Sequence, residues 1–193
     1  AVLPIALGIG ALLLVFLHPA LHRRLLAVSA GSPLVALTAW LPTLTWSVGQ
    51  SLLALAVMAL LGVAAAAWLP LLGVLLLTAA CAVTITQVLR AAFGGAGLYA
   101  AGVLLVVQVA GSGALFPSQT LGTMFGWLHP VLPMSYSADA IRRTIAGGPL
   151  TPYLWADVAV LVVVSAAGVG MLIAAVHWRR HVRTSEFEPI VAG

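Results

Sequence analysis

The sequence predicts an all-α, polytopic transmembrane helical bundle of about five spans, with a re-entrant or interfacial helical hairpin ahead of the last span. Three observations lead there. The 193 residues are 63% hydrophobic and only 6% charged, whereas soluble domains carry about 25% charged residues, so lipid must be the main solvent. The apolar residues fall in long unbroken runs rather than short alternating strands, which selects helices over a β-barrel. Most of the few charges sit between those runs, where loops would lie.

The first run, from Val2 to Leu17, is short for a span and ends at His18-Pro19. His22, Arg23 and Arg24 follow in a basic loop. Ser32-Pro33 has the form of a helix start, a cap residue followed by proline in the first turn. Residues 34–89 carry no charge, which leaves room for two spans of about 20 residues each. One is expected at residues 43–63, after an interfacial lead-in at 34–40 that sets Trp40 and Trp46 at headgroup level. The other is expected at 68–89, with a tight turn at 64–67 and Pro70 just after it. Arg90 closes the third run, residues 93–97 (Phe-Gly-Gly-Ala-Gly) make a loop, and a fourth run covers 98–110. The fifth covers 154–178 and passes into the basic tail Arg179-Arg180-His181-Val182-Arg183.

Residues 111–152 are different: apolar, but broken by Pro117, Pro130, Pro133 and Pro149. Leu121, Met124, Phe125 and Leu128 fall at i, i+3, i+4 and i+7, one helix face, on a segment too short to span. A second short helix is expected from Pro133 to Ala146, stopped by Gly147-Gly148-Pro149. Two broken half-helices between spans read as a re-entrant or interfacial hairpin.

The basic tail places the C-terminus inside by the positive-inside rule. Arg23, Arg24 and Arg90 then also fall inside, while Ala1 and residues 111–152 fall outside. An external N-terminus that opens directly on apolar sequence needs something upstream to set it, so a truncated chain is expected. All the basic residues are arginine, a bias of GC-rich bacterial coding, so the expected location is the bacterial cytoplasmic membrane. Scattered loop arginines account for the net charge of +4, and nucleic acid is not an expected partner; the lipid bilayer is.

Catalysis finds no support in the residues. No Ser-His-Asp or paired-carboxylate arrangement and no GxxxxGK[ST] phosphate loop is present, so the chain is not expected to be an enzyme or to bind a nucleotide in that way. His18 and His22 stand at i, i+4 but lack a third ligand. His177 and His181 repeat the spacing beside arginines that would repel a cation, so no metal or cofactor is expected. The single cysteine, Cys81, reads as a packing residue.

The polar residues of interest lie at the outer end. Asp139, Arg142 and Arg143 stand at i, i+3 and i+4 on the second short helix, either a gate contact at the outer mouth or a local salt bridge. Asp157 lies about a turn into the fifth run, with Arg142 or Arg143 as the expected partner; intramembrane carboxylates are expensive and usually functional, but this one also suits headgroup depth. Gln50, Gln87 and Gln108 read as interhelical hydrogen-bonding groups, and Gly8, Gly10, Gly102, Gly168 and Gly170 as close-packing positions.

These residues also form a pattern. Gly111-Ser112-Gly113-Ala114-Leu115-Phe116-Pro117, then His129-Pro130, Leu132-Pro133-Met134-Ser135-Tyr136, Asp139-Ala140-Ile141-Arg142-Arg143 and Gly147-Gly148 resemble the C-terminal membrane region of the YhgE/Pip (phage infection protein) family, within the type 2 ABC-transporter permease superfamily. The start, from Pro4 to Arg23-Arg24, resembles that family's second transmembrane helix and the cytoplasmic loop after it. The resemblance implies six transmembrane helices in the parent protein, the first of them and a large extracellular domain preceding Ala1. It implies export coupled to a separate cytoplasmic ATPase, with the loop bearing His22, Arg23 and Arg24 at the coupling position. It also implies a homodimer or a related permease subunit as partner. Phe116, Pro117, Pro130, Pro133, Tyr136, Asp139, Arg142, Arg143 and Asp157 would make the outer gate. Asp139 departs from the pattern, which often has a small polar residue there. The family's association with phage adsorption and type VII secretion-like systems leaves an alternative expectation: a membrane anchor for an extracellular receptor or scaffold domain, without transport.

Overall fold

The computed structural model of the chain describes residues 2–17, 31–112, 127–146 and 152–184. They form six α-helices: α1 (Val2–Leu17), α2 (Ser32–Leu60), α3 (Trp68–Phe93), α4 (Gly95–Gly111), α5 (Pro133–Ala146) and α6 (Pro152–Thr184), with a 3₁₀ turn at His129–Val131. No strand occurs among the described residues.

Three helices, α2, α3 and α6, are long and apolar enough to cross a membrane. This corrects the expectation of about five full spans. The first and fourth runs are helical, but α1 has 16 residues and α4 has 17. At a rise of 1.5 Å per residue they extend roughly 24–26 Å, short of the ~30 Å hydrocarbon core. A run of apolar residues signals affinity for lipid; the length of helix decides how far it reaches.

The lead-in expected at residues 34–40 is also corrected. Helix α2 begins at Ser32, with Pro33 in its first turn, and runs unbroken through Pro42 to Leu60. The indole N–H of Trp40 donates to Thr84 Oγ1 on α3 at 3.0 Å, a tie between two helices. Trp46 falls midway along α2 and is exposed.

Helix α3 is the axis of the bundle and touches α1, α2, α4, α5 and α6. Half of its most apolar stretch is buried, against 22% in α2 and 17% in α6. Small and β-branched residues such as Ala79, Val83 and Thr84 let neighbours approach it on several sides. Leu7, Leu71, Leu75, Ile141 and Leu154 form one buried cluster; Val35, Ala36, Ala91, Leu172 and Val176 form a second. Leu53, Val103, Val106 and Val163 stay exposed along the helix flanks, an apolar exterior suited to lipid.

Two glycines make the turns. Gly62, at φ +71°, ends α2 with its own N–H on Ala59 O and that of Val63 on Met58 O, both 3.1 Å, a left-handed C-terminal cap. Gly94, at φ +64°, is the single residue between α3 and α4, so the expected five-residue loop is far tighter. Its tightness depends on Gly97, where a Cβ would overlap the carbonyl of Leu89.

The chain thus places the α1 C-terminus, the α2 N-terminus, the α3–α4 turn and the α6 C-terminus at one end; Ser32 Oγ lies 3.4 Å from His177 Nδ1 there. The α2–α3 turn, the α4 C-terminus, α5 and the α6 N-terminus share the other end, where Ala66 N–H donates to Ile145 O at 3.4 Å.

Candidate gate at one end of the bundle

Helix α5 is where the broken segment meets the bundle. Pro133 opens it, and it spans the bounds expected from its flanking punctuation. Met134, Ser135, Ser137, Ala138, Ala140, Ile141 and Thr144 are buried. Small residues on that face let α5 sit against α6, α3, α4 and α1. Two of their hydroxyls bond locally: Ser137 Oγ donates to Pro133 O at 3.2 Å, and Thr144 Oγ1 to Ala140 O at 3.0 Å; Ser135 Oγ has no partner among the described residues. Half of a short helix buried in this way makes α5 a packed element of the bundle.

The turn ahead of α5 is held by its own polar groups. Tyr136 O–H donates to Pro130 O at 2.6 Å, bending Pro130 back over the first turn of the helix. His129 Nδ1 lies 3.4 Å from Gly111 O at the end of α4, and its Nε2 lies 3.9 Å from Asp139 Oδ2. Asp139 also accepts from Arg142 Nη1 at 2.9 Å, the local i, i+3 pair foreseen from spacing.

Arg143 does something else. Its Nη1 donates to Tyr153 O at 3.2 Å and to the carboxylate of Asp157, and its guanidinium lies 5.7 Å from the centre of the Tyr153 ring. Asp157 is 7% exposed. A carboxylate drawn that far from water needs a cation beside it, and Arg143 supplies one from α5. The pair therefore ties α5 to the start of α6. Of the two partners open to Asp157 from sequence, the fold selects Arg143 and leaves Arg142 to Asp139.

Pro130, Pro133, Tyr136, Asp139, Arg142, Arg143 and Asp157 are thus gathered at one end in two adjoining groups. Phe116 and Pro117 lie outside the described residues, and so does most of the first half-helix with Leu121, Met124 and Phe125. His22, Arg23 and Arg24 of the expected coupling loop also lie outside them. What the gathered groups can do is pin and neutralise: each carboxylate faces a guanidinium, and α5 is fastened at both its 3₁₀ turn and its C-terminal half.

Sequence reasoning passed over two contacts at the opposite end. Arg90 Nη1 donates to Val15 O at the end of α1 at 2.7 Å, and Arg179 Nη2 to Ala92 O at the end of α3 at 3.5 Å. Helix C-termini leave carbonyls unpaired and carry negative dipole ends, so an arginine closing an apolar run was the available signal. Two of the three amides act as read: Gln50 Nε2 donates to Ala6 O at 2.9 Å, and Gln87 Nε2 to Thr43 Oγ1 at 3.1 Å, each joining two helices.

No family model and no solved structure matches the chain. A curated protein does: the uncharacterized protein YhgE of Bacillus subtilis (strain 168), 32% identical over 87 residues. The chain is YhgE-like over that stretch. The match takes in 45% of this chain and 11% of YhgE, so the chain spans a small part of that protein's length.

Proposed function

We propose that the chain is a permease-like membrane subunit of an ABC-type exporter or secretion-associated system in the bacterial cytoplasmic membrane. The observation that carries this reading is α5, a broken segment seated in one end of an apolar bundle and fastened to α6 by Arg143 and Asp157. The YhgE-like stretch supports it. In this reading α2, α3 and α6 cross the bilayer, and the shorter apolar helices α1 and α4 pack beside α3 without spanning it by themselves. The α5 end faces outward and closes the outer side. The end with Arg90 and Arg179 faces the cytoplasm, in keeping with the positive-inside rule. The bundle packs in alternation against a second copy or a related subunit, and a separate ATPase engages the loop bearing His22, Arg23 and Arg24. The chain itself has no catalytic role.

The test is affinity purification of the tagged full-length protein from native membranes. The expected result is a dimer, or a complex with a related subunit, that brings down an ATPase. A protein that stays monomeric at every concentration and retains no ATPase overturns the reading.

One observation favours a second reading, a membrane anchor for an extracellular receptor or scaffold domain. The matched stretch is 11% of YhgE, so most of that relative lies beyond it. If deletion of the whole gene confers phage resistance while loss of any ATPase that copurifies with the protein has no phenotype, the anchor reading holds and transport does not.

A further inference from the structure

A partly open cavity of about 40 Å³ lies between α1, α3, α4 and α5. Its wall is mainly apolar, but Thr78, Cys81 and Thr86 from α3, Gln108 from α4 and Ser137 from α5 also line it. It reaches from the α5 end toward the middle of α3.

Thr78 is the unusual residue. A threonine in a membrane helix ordinarily donates its hydroxyl to the carbonyl three or four residues back. Thr38, Thr43, Thr45, Thr84, Thr86 and Thr144 all do so here. Thr78 does not, and its Oγ1 has no hydrogen-bond partner among the described residues, although the side chain is only 5% exposed. One of its ordinary acceptors, Leu75 O, already receives the Ser51 hydroxyl at 3.4 Å. A hydroxyl left unpaired in an apolar interior is costly, and this one borders the cavity.

We infer that the cavity is a water-binding site, holding two or three waters anchored on Thr78 Oγ1. A buried water requires roughly 10–15 Å³ and two to four polar partners, and the space and the lining meet both conditions. Thr86 and Ser137 already donate to backbone carbonyls, so their oxygens are left to accept from water. The Gln108 amide can both donate and accept. The site hydrates the α1–α4 side of the bundle part-way down from the α5 end. It stands whether or not the chain transports anything.

The experiment uses the full chain in lipid nanodiscs with 13C-labelled threonine methyl groups, reading magnetisation transfer from water to each methyl. Transfer is expected at Thr78 and Thr86 and not at Thr84, which is on the same helix but fully buried and bonded to Trp40 and Ala80. Thr78→Val keeps the shape and removes the hydroxyl; transfer at Thr86 should fall by about half or more, with Tm unchanged or lower, as expected when bound water loses its anchor. Thr78→Ser keeps the hydroxyl and should retain transfer at Thr86, a control that holds if the valine variant fails to fold. No transfer at either Thr78 or Thr86 in the parent chain means a dry cavity and overturns the inference. A dry cavity would also make Thr78→Val raise Tm, because an unpaired hydroxyl would have been removed.

Discussion

Arg142 and Arg143 are adjacent and carry the same charge, yet one helical step sends them to different work. Arg142 completes an i, i+3 pair with Asp139 on an exposed face, a geometry worth about 0.2–0.5 kcal/mol. Arg143 reaches a carboxylate that the fold has buried. Arg143→Ala should therefore destabilise the protein by about 1–3 kcal/mol, a range lowered from that of fully buried pairs because the arginine is partly solvated. Arg142→Ala should cost less than about 1 kcal/mol. Thermal unfolding of the purified variants in one detergent checks the order. Adding Asp157→Asn to Arg143→Ala should recover part of the loss, since the stranded charge is then gone. Gln50→Leu and Gln87→Leu each remove one interhelical bond and should cost about 0.6–1.7 kcal/mol apiece. Spacing alone revealed the Asp139–Arg142 pair, because i, i+3 neighbours meet on any helix. It left Asp157 with two candidate partners, because that pairing depends on how two helices approach.

Punctuation decided which elements were legible. Pro133 and Gly147-Gly148-Pro149 bracket α5 so sharply that its limits follow from backbone chemistry. The start of α2 was legible too, at Ser32-Pro33, but the division expected between a lead-in at 34–40 and a span from 43 does not occur, because the helix runs on through Pro42. Trp40 donates to Thr84 on α3, a contact between helices that local spacing does not reveal. The α3–α4 turn offers an element-scale prediction. Gly97→Ala places a methyl against the Leu89 carbonyl and should cost about 1–3 kcal/mol, as overpacking generally does. Gly95→Ala meets open space and should stay within about 0.5 kcal/mol of the parent. Equal losses in unfolding experiments on the two variants would mean the turn is looser than described.

At the scale of the whole molecule, the bundle has a distinct chemistry at each end. One end has guanidinium groups of Arg90 and Arg179 on helix C-termini. The other has His129, both described acidic residues and their arginine partners. In a Cys81→Ala background, Ala65→Cys and Gly95→Cys test whether these ends face opposite sides of a membrane. A membrane-impermeant maleimide added to intact cells should label Ala65→Cys, and Gly95→Cys only after permeabilisation. Labelling of both positions from the same side would rule out a membrane-crossing α3 and with it the proposed orientation.

By itself the sequence determined the helical class, the affinity for lipid, the bounds of α5 and the three longest apolar helices, all consequences of local composition and of proline and glycine geometry. The reach of the remaining two apolar runs was not legible there, because hydropathy measures what a segment prefers and not where its helix stops. Tertiary structure alone decided that α3 is the axis, that Arg143 rather than Arg142 holds Asp157, and that Thr78, its hydroxyl unpaired among the described residues, lines a cavity between four helices. Each of these depends on residues far apart in the chain being brought within bonding distance, which only the packing of one helix on another sets.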